Sequence, residues 1–240
     1  MESYQEDFAC LLASSGALFF KEDLILKDGR PTPYFVNMGN MNGDALHMQE
    51  LGDAYANMVL EQMDRGLKVN TLFGPAYKGI SIANHTQRSL LRNGINLGVV
   101  HDRKEAKTHG EGSGGGSSFV GEFREGSNIF LVDDVMTSAR TKYEALEMIN
   151  NYASEEGIDL SVVGVGIAFD RQQNNLEGKS AIEVFTEDTG VPVCSIVGAK
   201  EAIYHLLNSE TPLRIGGKMQ RMSQQTYDGF LKYMEEFGTK

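Results

Sequence analysis

Short apolar runs alternate with amphipathic stretches through the middle of this chain, and that alternation constrains the fold more than any other feature. Runs rich in Val, Ile and Phe predict strands that are buried on both faces, and the stretches between them repeat apolar residues at helical spacing. The predicted strands are 71–73, 97–100, 129–132, 161–169 and 193–197, and the predicted helices are 80–91, 142–151 and 181–189. This pattern predicts an α/β fold with a mostly parallel sheet and helices on both faces.

The two ends of the chain add further elements without indicating a second domain. Helical spacing predicts an N-terminal helix at about 4–12, a longer helix at about 45–63 and a final helix within a tail of about 213–240. Short strands are predicted at 17–20, 24–26 and 34–37, with a turn at 27–31. We therefore expect one domain that spans 1–240.

Charge and cysteine content limit what the protein binds. The chain has 22 Lys and Arg against 33 Asp and Glu, a net charge of −11, whereas nucleic-acid binding needs a basic surface. No apolar run has the length of a membrane span, and the N-terminus lacks a signal peptide's pattern. Cys10 and Cys194 are far apart and show no metal-ligand spacing. We expect a cytoplasmic protein that binds neither nucleic acid nor membrane.

Two adjacent carboxylates, Asp133 and Asp134, follow the strand predicted at 129–132 and precede a turn rich in hydroxyl groups. In an open α/β sheet, ligands bind outside the carboxyl ends of the strands, and the N-terminus of the next helix attracts phosphate. Thr137, Ser138 and Thr141 add hydroxyl donors. An Asp-rich capping turn is the alternative interpretation of this motif alone.

A long connection at about 101–127 shows no helical signal, and half of residues 110–121 are glycine. Arg103, Lys104, Lys107 and His109 lie within seven residues near its start. A loop with these cations is suited to closing over a polyanion as a lid, although a solvated charge run is the alternative.

Three further turns carry cations. Lys78 follows a Gly-Pro turn at the start of a predicted helix, which suits anion binding, although such a lysine is often merely solvated. Lys27 and Arg30 precede Tyr34 and Phe35, a combination that suits an anionic planar ring. Arg171 ends the strand predicted at 161–169, where a structural salt bridge is the alternative.

Together these segments resemble the orotate phosphoribosyltransferases, which are type I phosphoribosyltransferases. The matching segments occur in family order over most of the chain: LKDGRPTPYF (26–35), FGPAYKGI (73–80), RKEAKTHGEG (103–112), VDDVMT (132–137) and DRQ (170–172). The DD-x-x-T element marks the wider class. The lid and the GPAYKG turn are more specific to the orotate enzymes.

The resemblance implies the type I phosphoribosyltransferase fold, with a small N-terminal hood within about 1–40 and a catalytic lid loop at about 101–127. It implies Mg²⁺-dependent transfer of the phosphoribosyl group of 5-phosphoribosyl 1-diphosphate (PRPP) to orotate, giving orotidine 5′-monophosphate and pyrophosphate in UMP biosynthesis. Mg²⁺ would be held mainly through PRPP, with no direct protein ligand assigned. A homodimer with the lid shared across its interface is also implied.

The resemblance assigns roles to individual residues. The catalytic residues would be Lys107, His109, Asp133 and Asp134. The PRPP-binding residues would be Lys27, Tyr77, Lys78, Arg103, Lys104, Lys107, His109, Asp133, Asp134, Val135, Met136, Thr137, Ser138, Ala139, Arg140 and Thr141. The orotate-binding residues would be Phe35, Val36, Thr137 and Arg171. A cis peptide between Ala76 and Tyr77 is implied as well.

The 5′-phosphate loop departs from the family's usual Thr-Ala-Gly-Thr. Ala139 stands where the family has glycine and disfavours a positive φ. Arg140 replaces a threonine with a long cation, which we expect to hold the 5′-phosphate.

Two other functions stay open. One is a phosphoribosyltransferase for another base, against which the Lys27–Phe35 segment and Arg171 favour an anionic pyrimidine. The other is a non-catalytic PRPP-sensing regulator, which the absence of a recognisable DNA-binding module and the intact lid both disfavour.

Overall fold

A computed structural model describes residues 1–26, 28–104, 118–175 and 178–239 of the chain. In chain order the elements are α1 (Ser3–Ser14), β1 (Leu18–Ile25), β2 (Pro31–Val36), a 3-10 helix (Met38–Gly43), α2 (Ala45–Asp64), β3 (Thr71–Phe73), α3 (Lys78–Arg92), β4 (Gly98–Asp102), β5 (Phe119–Val120), β6 (Ser127–Val135), α4 (Arg140–Glu156), β7 (Leu160–Asp170), α5 (Ala181–Thr189), β8 (Val193–Gly198), α6 (Ala199–Asn208), β9 (Leu213–Ile215), β10 (Lys218–Gln220) and α7 (Gln224–Phe237).

Among the described residues, the central sheet has six strands in the order β5-β4-β3-β6-β7-β8, and only β5 of these runs antiparallel to its neighbour. Side chains of β6 alternate between two hydrophobic clusters: Phe130 and Val132 pack with α2 and α3, while Ile129 and Leu131 pack with α4 and α5. Successive residues of a strand face opposite sides of a sheet, so both faces are covered. The predicted mostly parallel α/β fold is confirmed.

A second sheet, which we call the hood, has four strands in the order β10-β9-β1-β2. The prediction of two strands at 17–20 and 24–26 was wrong, because β1 is one strand with a register shift between Phe20 and Leu24. Asp23 takes a φ of 61° at this irregularity. The hood also draws β9 and β10 from the C-terminal tail, where the sequence predicted only a helix. Phe19 pairs in parallel with Arg214, so the two ends of the chain share this sheet.

Helices α2 and α3 pack closely on one face of the central sheet, and Gly52 permits that approach. A Cβ added at Gly52 would lie 2.7 Å from the backbone carbonyl carbon of His85. Gly229, on the exposed face of α7, has no heavy atom within 4 Å of such a Cβ. Within the described ranges, no helix is both long and apolar enough to span a membrane.

Alanine substitutions at Gly52 and Gly229 should change the free energy of unfolding in opposite directions. We expect Gly52→Ala to lower the free energy of unfolding by about 1–3 kcal/mol, because α2 and α3 must move apart. We expect Gly229→Ala to raise it by about 0.5–1 kcal/mol, because alanine favours the helix and meets no obstruction. Chemical denaturation of both variants measures the difference, and a shift of the same sign in both would contradict the packing argument.

Candidate functional site

The order of the central sheet creates a topological switch point between β3 and β6. From β3 the chain runs outward to β4 and β5, and from β6 it runs outward to β7 and β8. Ligand crevices of open α/β sheets lie at such points, outside the carboxyl ends of the strands. Helix α3 begins at Lys78, five residues after β3, and α4 begins at Arg140, five residues after β6. Two helix N-termini, each favourable for an anion, therefore follow the two strands at the switch point.

The structure brings two of the predicted motifs into contact here. The Nζ of Lys78 lies 2.6 Å from Oδ2 of Asp134. The side chain of Lys78 is half exposed, whereas that of Asp134 is largely covered. Val135 N–H donates to the other carboxylate oxygen of Asp134 over 2.8 Å, which fixes the orientation of that carboxylate.

The turn that carries Lys78 requires two glycines. A Cβ on Gly74 would lie 2.1 Å from the carbonyl oxygen of Gly79, and a Cβ on Gly79 would lie 2.6 Å from Cδ of Pro75. The Ala76–Tyr77 peptide is cis, as the resemblance implied. Tyr77 is 74% exposed at this edge of the sheet.

Asp102, the last residue of β4, links the Gly74–Tyr77 turn to the base of the lid. The N–H of Ala76 donates to its Oδ1 over 2.5 Å, and Nζ of Lys104 lies 3.1 Å from its Oδ2. Asp102 is buried. Sequence reasoning missed it as a site residue, although an acid at the carboxyl end of a predicted strand was the available signal.

Strands β4 and β5, on either side of the segment predicted as a lid, pair with each other, and the sequence did not predict this pairing. Asp102 pairs with Phe119 across β4 and β5, and the N–H of Arg103 donates to the carbonyl of Ser118 over 2.8 Å. Arg103 and Lys104 are therefore held at the carboxyl end of β4. Three more of the predicted site cations lie outside the described residues: Lys27, Lys107 and His109.

Asp133 differs from its neighbour because its carboxylate is buried against Lys142. The Lys142 ammonium lies 2.5 Å from Oδ2 of Asp133 and also donates to the carbonyl of Val135 over 2.7 Å. The hydroxyl of Tyr55 donates to the backbone carbonyl of Asp133 over 2.6 Å. Burial, followed by the nearby charges of Asp133 and Asp134, raises the pKa of Tyr55 well above its ordinary value, so this donor keeps its proton.

Neither Tyr55 nor Lys142 was predicted as a site residue. A lysine in the first turn of an amphipathic helix is usually solvated, and the sequence holds no signal that this one is buried. Tyr55 is one of the buried residues of α2, and only the tertiary structure shows what its hydroxyl contacts.

The predicted phosphate loop, residues 137–141, follows β6 and runs into the first turn of α4. Ala139 adopts a φ of 54° as the N-cap of α4, so the alanine takes the left-handed conformation that it was expected to disfavour. Met136 and Ala139 are both buried in the hydrophobic cluster beneath the loop. The hydroxyl of Thr141 points back to Oδ2 of Asp133 at 3.4 Å.

Arg140 does not fold over the phosphate loop. Its Nε lies 2.7 Å from Oε1 of Glu144, one turn along α4, and its side chain is 83% exposed. The cation is near the N-terminus of α4 but is directed along the surface of the helix.

Arg171 connects the carboxyl end of β7 to the hood. Its guanidinium carbon lies 4.4 Å from the centroid of the Tyr34 ring, and its Nη2 donates to Oγ1 of Thr32 over 3.1 Å. Burial is the largest cause of a raised pKa at Tyr34, whose hydroxyl accepts from Gln173 over 2.9 Å. Burial also raises the pKa of Asp170, the last residue of β7.

The predicted orotate residues of β2 lie on opposite faces of the strand. Thr32, Tyr34 and Val36 are buried on the face that contacts Arg171, whereas the Phe35 ring packs 5.9 Å from that of Phe19 on the other face. Val36 belongs to the hydrophobic core. The structure thus brings Arg171 to the Tyr34 side of β2 and does not set the Phe35 ring beside it.

The end of the described chain is bonded to the segment that follows Arg171. The N–H of Thr239 donates to the carbonyl of Gln172 over 2.8 Å, and the N–H of Asn174 donates to the carbonyl of Phe237 over 2.9 Å. Within the described part of the chain, no three His, Cys, Asp or Glu side chains are grouped as a metal site.

Known proteins match this chain over most of its length. The family described as Phosphoribosyl transferase domain matches residues 44–195. The orotate phosphoribosyltransferase of Alteromonas mediterranea is 39% identical over 209 residues, covering 86% of this chain and 90% of that protein. That of Chromohalobacter salexigens is 34% identical over 247 residues, covering 100% of this chain and 97% of that protein. The crystal structure of orotate phosphoribosyltransferase from Francisella tularensis has a TM-score of 0.73 at 27% identity, covering 97% of this chain and 98% of that one.

The role of Asp102 in the turn leads to a stability prediction. We expect Asp102→Ala to lower the free energy of unfolding by about 1–3 kcal/mol, because the N–H of Ala76 loses its acceptor. Asp102→Asn retains an oxygen acceptor and should cost less. Denaturant titration measures both, with Asp159→Ala, at an exposed position, as a control expected to change stability by less than about 0.5 kcal/mol. Equal losses in the alanine and asparagine variants would contradict this assignment.

Proposed function

This chain belongs to the orotate phosphoribosyltransferase family of pentosyltransferases, and from that membership we propose that it transfers the 5-phosphoribosyl group of PRPP to N1 of orotate. The products would be orotidine 5′-monophosphate and pyrophosphate, in the pyrimidine pathway that leads to UMP. The observation that carries the proposal is the contact of Lys78 with Asp134 at the switch point. It joins the turn suited to pyrophosphate and the motif suited to ribose.

The charged groups near this contact are opposite in sign to the charges that develop in the reaction. As pyrophosphate leaves, positive charge builds on the ribosyl ring and negative charge builds on the leaving group. Preorganised opposite charges are usually the largest contribution to such catalysis. We assign Asp133 and Asp134 to the ribose and its developing cation, and Tyr77, Lys78, Arg103 and Lys104 to the pyrophosphate.

The half-exposed Lys78 side chain supports this assignment, because it can leave Asp134 when substrate arrives. PRPP would then supply a new partner for each charge: phosphate oxygens for the ammonium and ribose hydroxyls for the carboxylate. Before substrate binds, the ion pair would therefore hold both side chains at the positions proposed for catalysis, with each charge neutralised by the other.

The 5′-phosphate would bind at the start of α4. Backbone N–H groups of residues 136–141 and the hydroxyls of Thr137, Ser138 and Thr141 are suited to phosphate oxygens. Met136 and Ala139 would contribute through their backbone, because their side chains are buried in the cluster below.

Orotate would bind between the hood and the central sheet. The fork of Arg171 suits a carboxylate, and its contacts with Thr32 and the Tyr34 ring restrict its orientation. Thr137 would approach the base from the phosphate loop. Because the side chains of Phe35 and Val36 diverge, we propose that this part of β2 contributes mainly backbone groups.

The lid and the metal complete the proposal. We propose that Lys107 and His109 close over the pyrophosphate, that Lys27 contacts PRPP, and that the lid of one subunit serves the other in a homodimer of single-domain chains. We propose that Mg²⁺ is held mainly through PRPP, with no direct protein ligand assigned, since Mg²⁺ commonly binds through substrate phosphates. Bound in this way, Mg²⁺ would neutralise charge on the diphosphate and favour its departure.

The direct test is to mix the purified protein with PRPP, Mg²⁺ and orotate and to follow the loss of orotate absorbance. We expect turnover that depends on PRPP, with no reaction of adenine or guanine. Turnover of a purine base alone would favour a phosphoribosyltransferase of another specificity. PRPP binding without turnover of any base would favour the non-catalytic regulator.

A subunit-mixing experiment tests the shared lid. Lys107→Ala should lower turnover about a hundredfold to a thousandfold, the usual effect of losing one preorganised contact to developing charge. Asp134→Ala should also be inactive. After subunit exchange, a 1:1 mixture should regain about a quarter of wild-type activity, because half of the dimers are mixed and each has one intact site. A mixture that exchanges subunits and stays inactive would show that the lid serves its own chain.

Arg140 gives a second kinetic prediction. We propose that its exposed cation assists 5′-phosphate binding from the rim of the loop, in exchange for Glu144. Arg140→Ala should raise KM for PRPP about twofold to fivefold, the scale of an exposed ion pair, and leave KM for orotate unchanged. Arg92→Ala is the matched control, because Arg92 is an exposed arginine at the end of α3 that pairs with Asp53 of α2. An equal effect of both substitutions on KM for PRPP would remove Arg140 from the site.

A further inference from the structure

Lys142 is a buried cation at the centre of the proposed PRPP site. Its side chain is 3% exposed, although it belongs to the first turn of α4, where lysine is normally solvated. Its ammonium bonds to the carboxylate of Asp133 at 2.5 Å and to the carbonyl of Val135 at 2.7 Å. Both partners lie near the end of β6, before the phosphate loop, whereas Lys142 lies just after it. The ammonium therefore joins the two ends of that loop.

The Asp133 carboxylate is held from both sides. Oδ2 contacts the Lys142 ammonium and, at 3.4 Å, the hydroxyl of Thr141. Oδ1 accepts the backbone N–H of Asp134 over 2.9 Å. These contacts leave the carboxylate little rotational freedom, and they also fix the start of the Asp134 backbone. A change at Lys142 would therefore reach both carboxylates.

Stability alone does not account for a charge in this position. Taking a lysine and an aspartate out of water costs several kcal/mol, and an apolar pair of similar volume is often as stable or more so. A methionine at 142 would have fitted the amphipathic pattern of α4. What the ion pair supplies and an apolar pair does not is a fixed orientation for an ionised carboxylate.

We propose that Lys142 is a positioning residue for PRPP binding: its ammonium holds the Asp133 carboxylate in a fixed orientation and keeps the two ends of the phosphate loop together. It acts through Asp133 and Val135 and does not itself contact the substrate. The inference rests on the proposed function, because it takes the ligand of the loop to be a ribose phosphate.

The test compares three substitutions at 142 by steady-state kinetics with PRPP and orotate varied separately, at a temperature below the melting transition of each variant. Lys142→Met removes the charge and all donors, Lys142→Gln keeps N–H donors without the charge, and Lys142→Arg keeps both. Lys179→Met is the control, because Lys179 is exposed just before α5 and pairs there with the exposed Glu187 of that helix.

We expect KM for PRPP to rise about tenfold or more in Lys142→Met, less in Lys142→Gln and least in Lys142→Arg, since each lost hydrogen bond to a charged group weakens the site. KM for orotate should stay within about threefold, because Arg171 and the hood are untouched. Lys179→Met should alter neither constant.

A purely structural lysine would give a different result. In that case the variants would melt at lower temperatures while the folded enzymes kept the wild-type KM for PRPP, and the proposal would be overturned. If Lys142→Met does not fold, the same comparison between Lys142→Gln and Lys142→Arg decides. Failure of the proposed function would be distinguishable from failure of this proposal, because the wild-type protein itself would then show no turnover of orotate. PRPP binding by the same variants, measured calorimetrically, would then still test Lys142.

Discussion

The pairing of β3 with β6 is the constraint on which the rest of the site depends. The two strands are not consecutive in the chain, yet they are parallel neighbours, with Phe73 opposite Leu131. Their carboxyl ends therefore meet at one edge of the sheet. The Lys78 turn follows one strand and the Asp133–Asp134 motif follows the other. Their contact is a consequence of strand order, and no local sequence preference would produce it.

The central sheet was predictable from the sequence because its strands carry near-continuous apolar runs. Ile129, Phe130, Leu131 and Val132 are all buried, and they divide between two clusters on opposite faces. The helices between the strands repeat apolar residues at a period that differs clearly from that of a strand. Strand 71–73 and helix 181–189 were predicted with the bounds that the structure has. Strands β5, β9 and β10 were missed because they are short and, unlike the equally short β3, they are not buried throughout and so lack a continuous apolar run.

The candidate site was predictable only in part. The motifs at Lys78, Asp134 and Arg171 were visible because chemistry-bearing residues directly follow predicted strands. The residues that support them were not visible, because Asp102 and Tyr34 acquire their contacts from segments distant in the chain, and Lys142 reaches Asp133 only through the conformation of the intervening loop. Arg140 shows the converse: its place in the motif suggested a phosphate contact, whereas its side chain pairs with Glu144 along the helix surface. Sequence thus located the loop but not the direction of its side chains.

The shared hood has a consequence for the order in which the molecule forms on the ribosome. The strands of the central sheet have all been synthesised once residue 198 is added, and the switch point can then assemble. The hood is complete only once residues 213–220 have been made, because β9 and β10 come from that segment. Long-range pairings of this kind form late and slowly. A nascent chain would therefore have the edge that carries Asp133 and Asp134 before it has the complete hood, and full protease protection of the hood should appear only after residues 213–220 have left the ribosome.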